Sequence, residues 1–337
     1  MTNRQRNAML ALGCGVAFAA AMRRRKTEYY HGRVVVITGG SRGLGLELAR
    51  QWARLGARVA LCARTSQDLR RAADELQGAG HEVLAIPCDV TQENQVASFI
   101  REILDRWGRI DVLVNNAGII QAGPLGNMAL DDFRETMDTH FFGPLYMIYE
   151  VLPHMRARRC GQIVNIASIG GEMSVPHLLP YSASKFALVG LSEGLHAELH
   201  REGITVTTVC PGLMRTGSPR NAEFKGNHVA EYAWFSISDS LPGVSIGARR
   251  AARQIVLAVR DRRAYLAVSL PAKVGIAVHG MFPGITARVL AFVNRLLPSP
   301  RGGTSVGHRG SQSFSRWSPS VLTILTERAA ARNNEMR

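Results

Sequence analysis

The sequence lacks cysteine pairs, internal repeats and any uncharged apolar run of full bilayer length, and each absence removes a class of protein. Cys14, Cys62, Cys88, Cys160 and Cys210 lie far apart with no CxxC spacing, and an odd number suits neither a disulfide framework nor a zinc cluster. They read as reduced thiols in a cytosol-facing protein, with Cys62, Cys88 and Cys210 as small buried hydrophobes in strand-like runs. Acidic residues are also scarce, 26 against 41 Lys and Arg, for a net charge of +15. The deficit sits at the two ends. Residues 1–33 carry +6 and residues 248–337 carry +12, leaving residues 34–247 at −3. A nearly neutral body between basic ends argues against a nucleic-acid groove across the fold and for attraction to an anionic membrane surface.

The longest uncharged apolar run, residues 8–22, follows Arg4 and Arg6 and precedes Arg23, Arg24, Arg25 and Lys26. As a helix it would cover about 22 Å, short of a ~30 Å hydrocarbon core unless flanking residues are drawn in. A membrane anchor or surface helix is the preferred reading; a cleaved signal peptide and an ordinary packed helix are its rivals. Four cations directly after the run oppose export, because positive flanks stay on the cytoplasmic side. The chain therefore divides into an anchor-like segment (1–30), an α/β domain (31–268), an apolar helical extension (269–298) and a basic tail (299–337). Residues 299–320, rich in Ser, Gly, Pro and Arg, predict disorder. Residues 270–298 hold at most two short helices between prolines, and their apolar surface either docks on the body or lies in a membrane interface.

From residue 33 onward, apolar runs alternate with helical stretches: 34–37, 57–62, 83–86, 110–114, 163–167, 204–209 and finally 264–268. Runs that are continuous rather than alternating imply strands buried on both faces, hence a Rossmann-type doubly wound parallel sheet with helices on both faces. Ligands of such sheets bind at the carboxyl ends of the strands. The first strand ends in Thr38-Gly39-Gly40-Ser41-Arg42-Gly43-Leu44-Gly45 and runs into a helix. Glycines there let the backbone approach a pyrophosphate, and the helix start offers free N–H groups and a positive dipole end. The second strand ends at Arg64 with no acid to bind ribose hydroxyls, and Arg42 projects toward the same region. Two cations without an acid attract a 2′-phosphate, so the cofactor is expected to be NADP(H).

Tyr181 and Lys185 form a YxxxK pair, which on a helix places both side chains on one face. An ammonium beside the phenol favours the phenolate and brings an acid of ordinary pKa about 10 toward neutrality.

The TGxxxGxG loop, followed in order by Asp89-Val90, Asn115-Asn116-Ala117-Gly118, Ser168, Tyr181, Lys185 and Pro211-Gly212 with Thr216, resembles the short-chain dehydrogenase/reductase family over residues 33–268. The extended branch with its epimerases would need Gly at position 42, where this chain has Arg. The resemblance implies Asp89 and Val90 at the adenine ring. It places Asn116, Ala117 and Gly118 along the cofactor, and Pro211, Gly212 and Thr216 around the nicotinamide. Tyr181 becomes the proton donor and acceptor, Lys185 the holder of the nicotinamide ribose, and Ser168 the hydrogen-bond partner of the substrate oxygen. One position departs: His140 stands where the family carries a relay asparagine. A neutral imidazole can donate and accept, so the expectation is a working relay with a new pH sensitivity. The implied function is interconversion of a carbonyl and an alcohol by hydride transfer; a non-catalytic NADP-binding sensor or scaffold is the alternative. Leu213, Met214, Phe224, Tyr232, Trp234, Phe235 and Ile237 are expected to form an apolar substrate lid, pointing to a lipid-, steroid- or retinoid-like substrate. Family members assemble as dimers or tetramers, so a homodimer or homotetramer is implied, and no nucleic-acid partner.

Overall fold

The computed structural model describes residues 28–299 and 303–336. The expected anchor run, 8–22, lies outside them. Strand β1 (Val34–Thr38) leads through the glycine turn into α1 (Gly43–Arg54), followed by β2 (Arg58–Ala63), α2 (Ser66–Gly78), β3 (Val83–Pro87), α3 (Glu93–Trp107) and β4 (Val112–Asn115). After the short β5 (Gln121–Ala122) come α4 (Leu130–Met137), a π-helical turn (Asp138–Phe142), α5 (Gly143–Ala157), β6 (Gly161–Ile166) and α6 (Leu179–Leu199). The chain continues with β7 (Ile204–Pro211), β8 (Met214–Arg215), β9 (Glu223–Gly226), α7 (His228–Ser240), β10 (Ile246–Gly247), α8 (Ala248–Arg260) and β11 (Tyr265–Val268). Helices α9 (Leu270–Met281) and α10 (Pro283–Asn294), strand β12 (Thr304–Arg309) and α11 (Ile324–Arg332) complete it.

Seven strands form the central sheet in the order β11-β7-β6-β4-β1-β2-β3, every pairing parallel. The continuous apolar runs follow from this arrangement. All five residues of β1 are buried: Val35 and Ile37 pack with Leu46, Leu48 and Trp52 on one face, Val34 and Val36 with Phe99, Ile100 and Ile103 on the other. Burial of each such side chain contributes roughly 1.5–3 kcal/mol, so the two faces together dominate the stability of the body. The strand order reverses between β1 and β4, and the crevice beyond their carboxyl ends is where such a sheet receives a ligand. Cys62, Cys88 and Cys210 are free and buried, as small hydrophobes should be.

The tail departs from the expected disorder. Strand β12 pairs antiparallel with β9, which pairs parallel with β5, so the polar segment completes a three-stranded sheet. His308 stacks on His228 at 4.0 Å between centroids, and Phe314 packs on Tyr232. Composition tells whether a segment can bury enough of itself to fold alone; an open strand edge supplies backbone partners to a segment that cannot.

Of the two outcomes for residues 270–298, the described structure shows little docking. Ala272 is buried and Ile276 packs beside Leu188 and Val189, but Leu270, Val274, Met281, Phe282, Ile285, Val289, Phe292 and Leu296 are all exposed. Among the described residues, no helix is long and apolar enough to cross a membrane.

Candidate active site

The turn between β1 and α1 is set by two glycines in the left-handed region, Gly39 (φ 63°) and Gly43 (φ 58°). Gly45 permits the closest approach in the loop: a Cβ there would stand 2.2 Å from the Gly39 carbonyl oxygen and 2.6 Å from Asn116 Nδ2. Asn116 locks the loop by donating from Nδ2 to the carbonyls of Thr38 (3.0 Å) and Gly39 (3.2 Å). Thr38, expected at the cofactor, is instead turned away from the cleft. Its Oγ1 accepts from the N–H groups of Asn116 and Ala117 at 3.0 Å each, tying β1 to the segment after β4. A hydroxyl at the end of a buried strand is of more use stitching two strand ends together than facing solvent.

One cleft of about 610 Å³ runs across these strand ends. Gly39, Ser41, Arg42, Gly43, Leu44 and Gly45 line it from the loop; Arg64, Asp89 and Val90 from the ends of β2 and β3; Asn116, Ala117 and Gly118 from β4. Ser168, Tyr181, Lys185, Pro211, Gly212 and Thr216 complete the far side. Among the lining residues that sequence reasoning missed are Asn221, Arg309 and Glu335. Arg309 and Glu335 belong to the tail, and nothing in their local sequence marks them as cleft residues. Arg64 and Arg309 lie near enough to act on Arg42: burial lowers the Arg42 pKa, Glu335 opposes this, and the other two guanidinia reinforce it. Three guanidinia and a glycine loop are the donor set for an anionic dinucleotide, so the residues present fit such a cofactor.

Ser168, Tyr181 and Lys185 converge at the other end of the cleft. Ser168 follows β6, where its Oγ accepts the Gly170 N–H at 3.0 Å. Lys185 is buried in α6; its Nζ donates to the Ile166 carbonyl at 2.8 Å and stands 5.8 Å from the centre of the Tyr181 ring. Burial pushes the Tyr181 phenol up to about 12, a hydrogen bond with Ser168 working against it. Burial likewise pushes the Lys185 ammonium down to about 7. The expected lowering of the phenol is thus reversed in the cleft as it stands. Burial disfavours the charged form of both groups, so the ammonium's pull on the phenol is opposed by the desolvation of each.

His140 does not line the cleft. The π-helical turn directs it inward, where it is completely buried. Its Nε2 accepts the Ile119 N–H at 3.1 Å, which leaves Nδ1 to carry the proton toward Ser184 Oγ, 2.7 Å away. Ser184 in turn donates to the Tyr181 carbonyl at 2.9 Å. Both ring nitrogens are therefore taken, and among the described residues no hydrogen bond joins His140 directly to Lys185, whose Nζ is given to the Ile166 carbonyl. Burial, reinforced by the charge of Lys185, holds the imidazole pKa well below its ordinary value, which works against the expected pH sensitivity. Edge-on to the Tyr181 ring at 5.4 Å between centroids, His140 braces the first turn of α6.

The aromatic lid is also corrected. Phe224, Tyr232 and Phe235 are buried together with Ala122, Leu178 and Ala222, with Trp234 packed against the cluster. Of the seven residues, Met214 alone lines the cleft. An aromatic-rich stretch fills a core as readily as it shapes a pocket, and here it seats the three-stranded sheet on α7.

The family profile described as short chain dehydrogenase matches residues 33–225. A mouse protein named dehydrogenase/reductase SDR family member 7B is 31% identical over 285 residues, covering 83% of this chain and 87% of its own. Among solved structures, a variant of the actinorhodin polyketide ketoreductase with NADPH superimposes with a TM-score of 0.63 at 33% identity, covering 71% of this chain and 96% of that one. A short chain dehydrogenase/reductase of Burkholderia phymatum in complex with NAD gives a TM-score of 0.70 at 26% identity, covering 76% and 95%.

Proposed function

Since the chain belongs to the short-chain dehydrogenase family, we propose that it is an NADP(H)-dependent oxidoreductase interconverting an apolar ketone or aldehyde and its alcohol. The observation that carries this reading is the convergence of Ser168, Tyr181 and Lys185 at one end of the cleft that the glycine loop opens at the other. Bound NADP(H) supplies the hydride. Ser168 hydrogen-bonds the carbonyl oxygen, Tyr181 delivers its phenolic proton to that oxygen as negative charge develops there, and Lys185 returns a proton to the phenol. A neutral phenol suits the reducing direction near pH 7, because the proton to be given is already in place.

Relatives carrying NADPH and NAD are both close in fold, so the choice of cofactor rests on this chain's own cations. Arg42, Arg64 and Arg309 support NADP(H). NADPH should be oxidised in the presence of hydrophobic ketones at least about tenfold more efficiently than NADH. Arg64→Glu should weaken NADPH about tenfold, the loss of one charge-assisted contact, while leaving NADH within about twofold. Equal turnover of the two cofactors by the natural chain would sink the NADP(H) assignment.

The apolar character of the substrate finds its support in α9 and α10 rather than in the lid. Helix α9 passes the residues just after Ser168: a Cβ at Gly275 would come within 3.3 Å of Met173 and 3.5 Å of Ile169. Exposed Leu270, Met281, Phe282, Phe292 and Leu296 are interspersed with exposed Lys273, Arg288 and Arg295. That mixture suits a helix pair lying on an anionic bilayer at the cytoplasmic side, with residues 8–22 as a second contact. The protein should co-float with phosphatidylserine vesicles. Phe282→Asp with Phe292→Asp, in a chain beginning at Glu28, should reduce the bound fraction at least about fivefold, since each buried aromatic contributes a few kcal/mol. Unchanged flotation of that variant would remove α9 and α10 from the contact.

A further inference from the structure

The segment following α11 reaches the cleft at the glycine loop and takes up groups that a dinucleotide needs. The Gly43 N–H, at the start of α1, donates to the Asn333 carbonyl at 2.9 Å. Asn334 Nδ2 donates to the carbonyl of Ser41 in the glycine loop at 2.9 Å. Glu335 is buried; its Oε2 accepts from Asn221 Nδ2 at 2.8 Å, and Asn221 also receives Arg42 Nη1 at 2.8 Å. Glu335 Oε1 stands where a Cβ on Gly43 would be only 2.5 Å from it, and Thr216 is the next neighbour of that same point.

A carboxylate between the glycine loop, an arginine-bound asparagine and Thr216 stands where the loop's N–H groups would meet a phosphate. We propose that residues 333–335 are an autoinhibitory plug. The Asn333 carbonyl and the Glu335 carboxylate occupy the phosphate-binding part of the cleft, and the dinucleotide binds only when this segment is displaced. The proposal rests on the cofactor reading above.

Two features make the plug displaceable. Its hold on the loop is polar throughout, so water and the incoming phosphates can replace each contact. The Glu335 carboxyl is also poorly accommodated: burial pushes it up to about 7 despite the opposing pull of Arg42, and it faces a second buried acid, Asp239 of α7. A diphosphate brings more negative charge to the same donors, and its charge cannot share them with a carboxylate at contact distance. While docked, the segment lowers the population competent to bind, and a plug in place nine-tenths of the time weakens apparent affinity about tenfold.

The test compares the full chain, a chain ending at Arg332, and Glu335→Ala, each titrated with NADPH. Both variants should bind NADPH at least about tenfold more tightly than the natural chain, with the point variant guarding against misfolding of the shortened one. In the full chain, saturating NADPH should accelerate tryptic cleavage after Arg332, as the freed segment becomes accessible. Unchanged or weaker NADPH affinity in both variants, with binding retained, overturns the plug; weaker affinity would mark the segment as part of the cofactor site. Cleavage after Arg332 that stays equally slow in the NADPH complex overturns it as well. Failure of all three proteins to bind NADPH or NADH would instead strike the cofactor reading, and the plug with it.

Discussion

Replacing Tyr181 by phenylalanine should lower kcat for carbonyl reduction by about three orders of magnitude while leaving NADPH affinity within about twofold. General acid catalysis by a positioned side chain is worth roughly 10²–10⁴-fold, and the substitution removes the one acidic proton while keeping the ring. The ring's other contacts survive it: the edge of His140, the Phe224–Tyr232 cluster and the Ser184 hydroxyl bound to the residue-181 carbonyl all act without the phenol oxygen. Steady-state kinetics beside a cofactor titration separate the two effects. A loss below about tenfold would mean that another group delivers the proton. The direction of pH dependence follows from the same site. A phenol pushed up to about 12 is a ready donor but a reluctant base, so alcohol oxidation should quicken as pH rises over a range in which reduction does not.

Gly45→Ala should be the most damaging of the single-methyl changes in the cleft, weakening NADPH by at least about a hundredfold. The added carbon would meet the Gly39 carbonyl oxygen at 2.2 Å and the Gly39 carbonyl carbon at 3.0 Å, backbone atoms that cannot swing aside. Relief requires the loop to move off Asn116 Nδ2, which breaks the two hydrogen bonds that fix its shape. Overpacking of this kind costs about 1–3 kcal/mol, and the lost cradle adds the binding defect to the loss of stability. Gly78→Ala, at the end of α2 with no atom near the new methyl, is the matched control and should leave both melting temperature and affinity nearly unchanged. Thermal melts and fluorescence titration of the two variants check the contrast; equal behaviour would mean that the loop is softer than its contacts indicate.

The parts of the molecule that could be read in advance are those where one local rule governs. Strand 34–37 is apolar without interruption because both faces of the sheet are covered, and 204–209, buried throughout, holds only apolar residues and threonines for the same reason. The glycine loop and the Tyr181–Lys185 pair are legible because backbone geometry and helix periodicity impose their spacing. Residues whose meaning depends on a distant partner were not legible. The family resemblance makes His140 a relay, yet Ile119 and Ser184 claim both its nitrogens. Phe224 and Tyr232 look like a lid, yet Phe314, 82 residues beyond Tyr232 in the chain, is what Tyr232 packs on. Arg309 and Glu335 lie in a stretch whose composition suggests no structure; the open edge of β9 places Arg309, and Asn221 receives Glu335 after α11. The phenol pKa failed for a related reason: helical spacing brings Lys185 near Tyr181 but does not reveal that both are buried.

The brace beneath Tyr181 has a consequence for the order of events. Ile119, His140, Ser184 and the Tyr181 carbonyl form one chain of hydrogen bonds made of the protein's own groups, with the His140 and Ser184 side chains buried behind the cleft wall. The phenol's direction is therefore fixed in the empty protein. Arriving reactants find the proton donor already aimed, and none of their binding energy is consumed in ordering it.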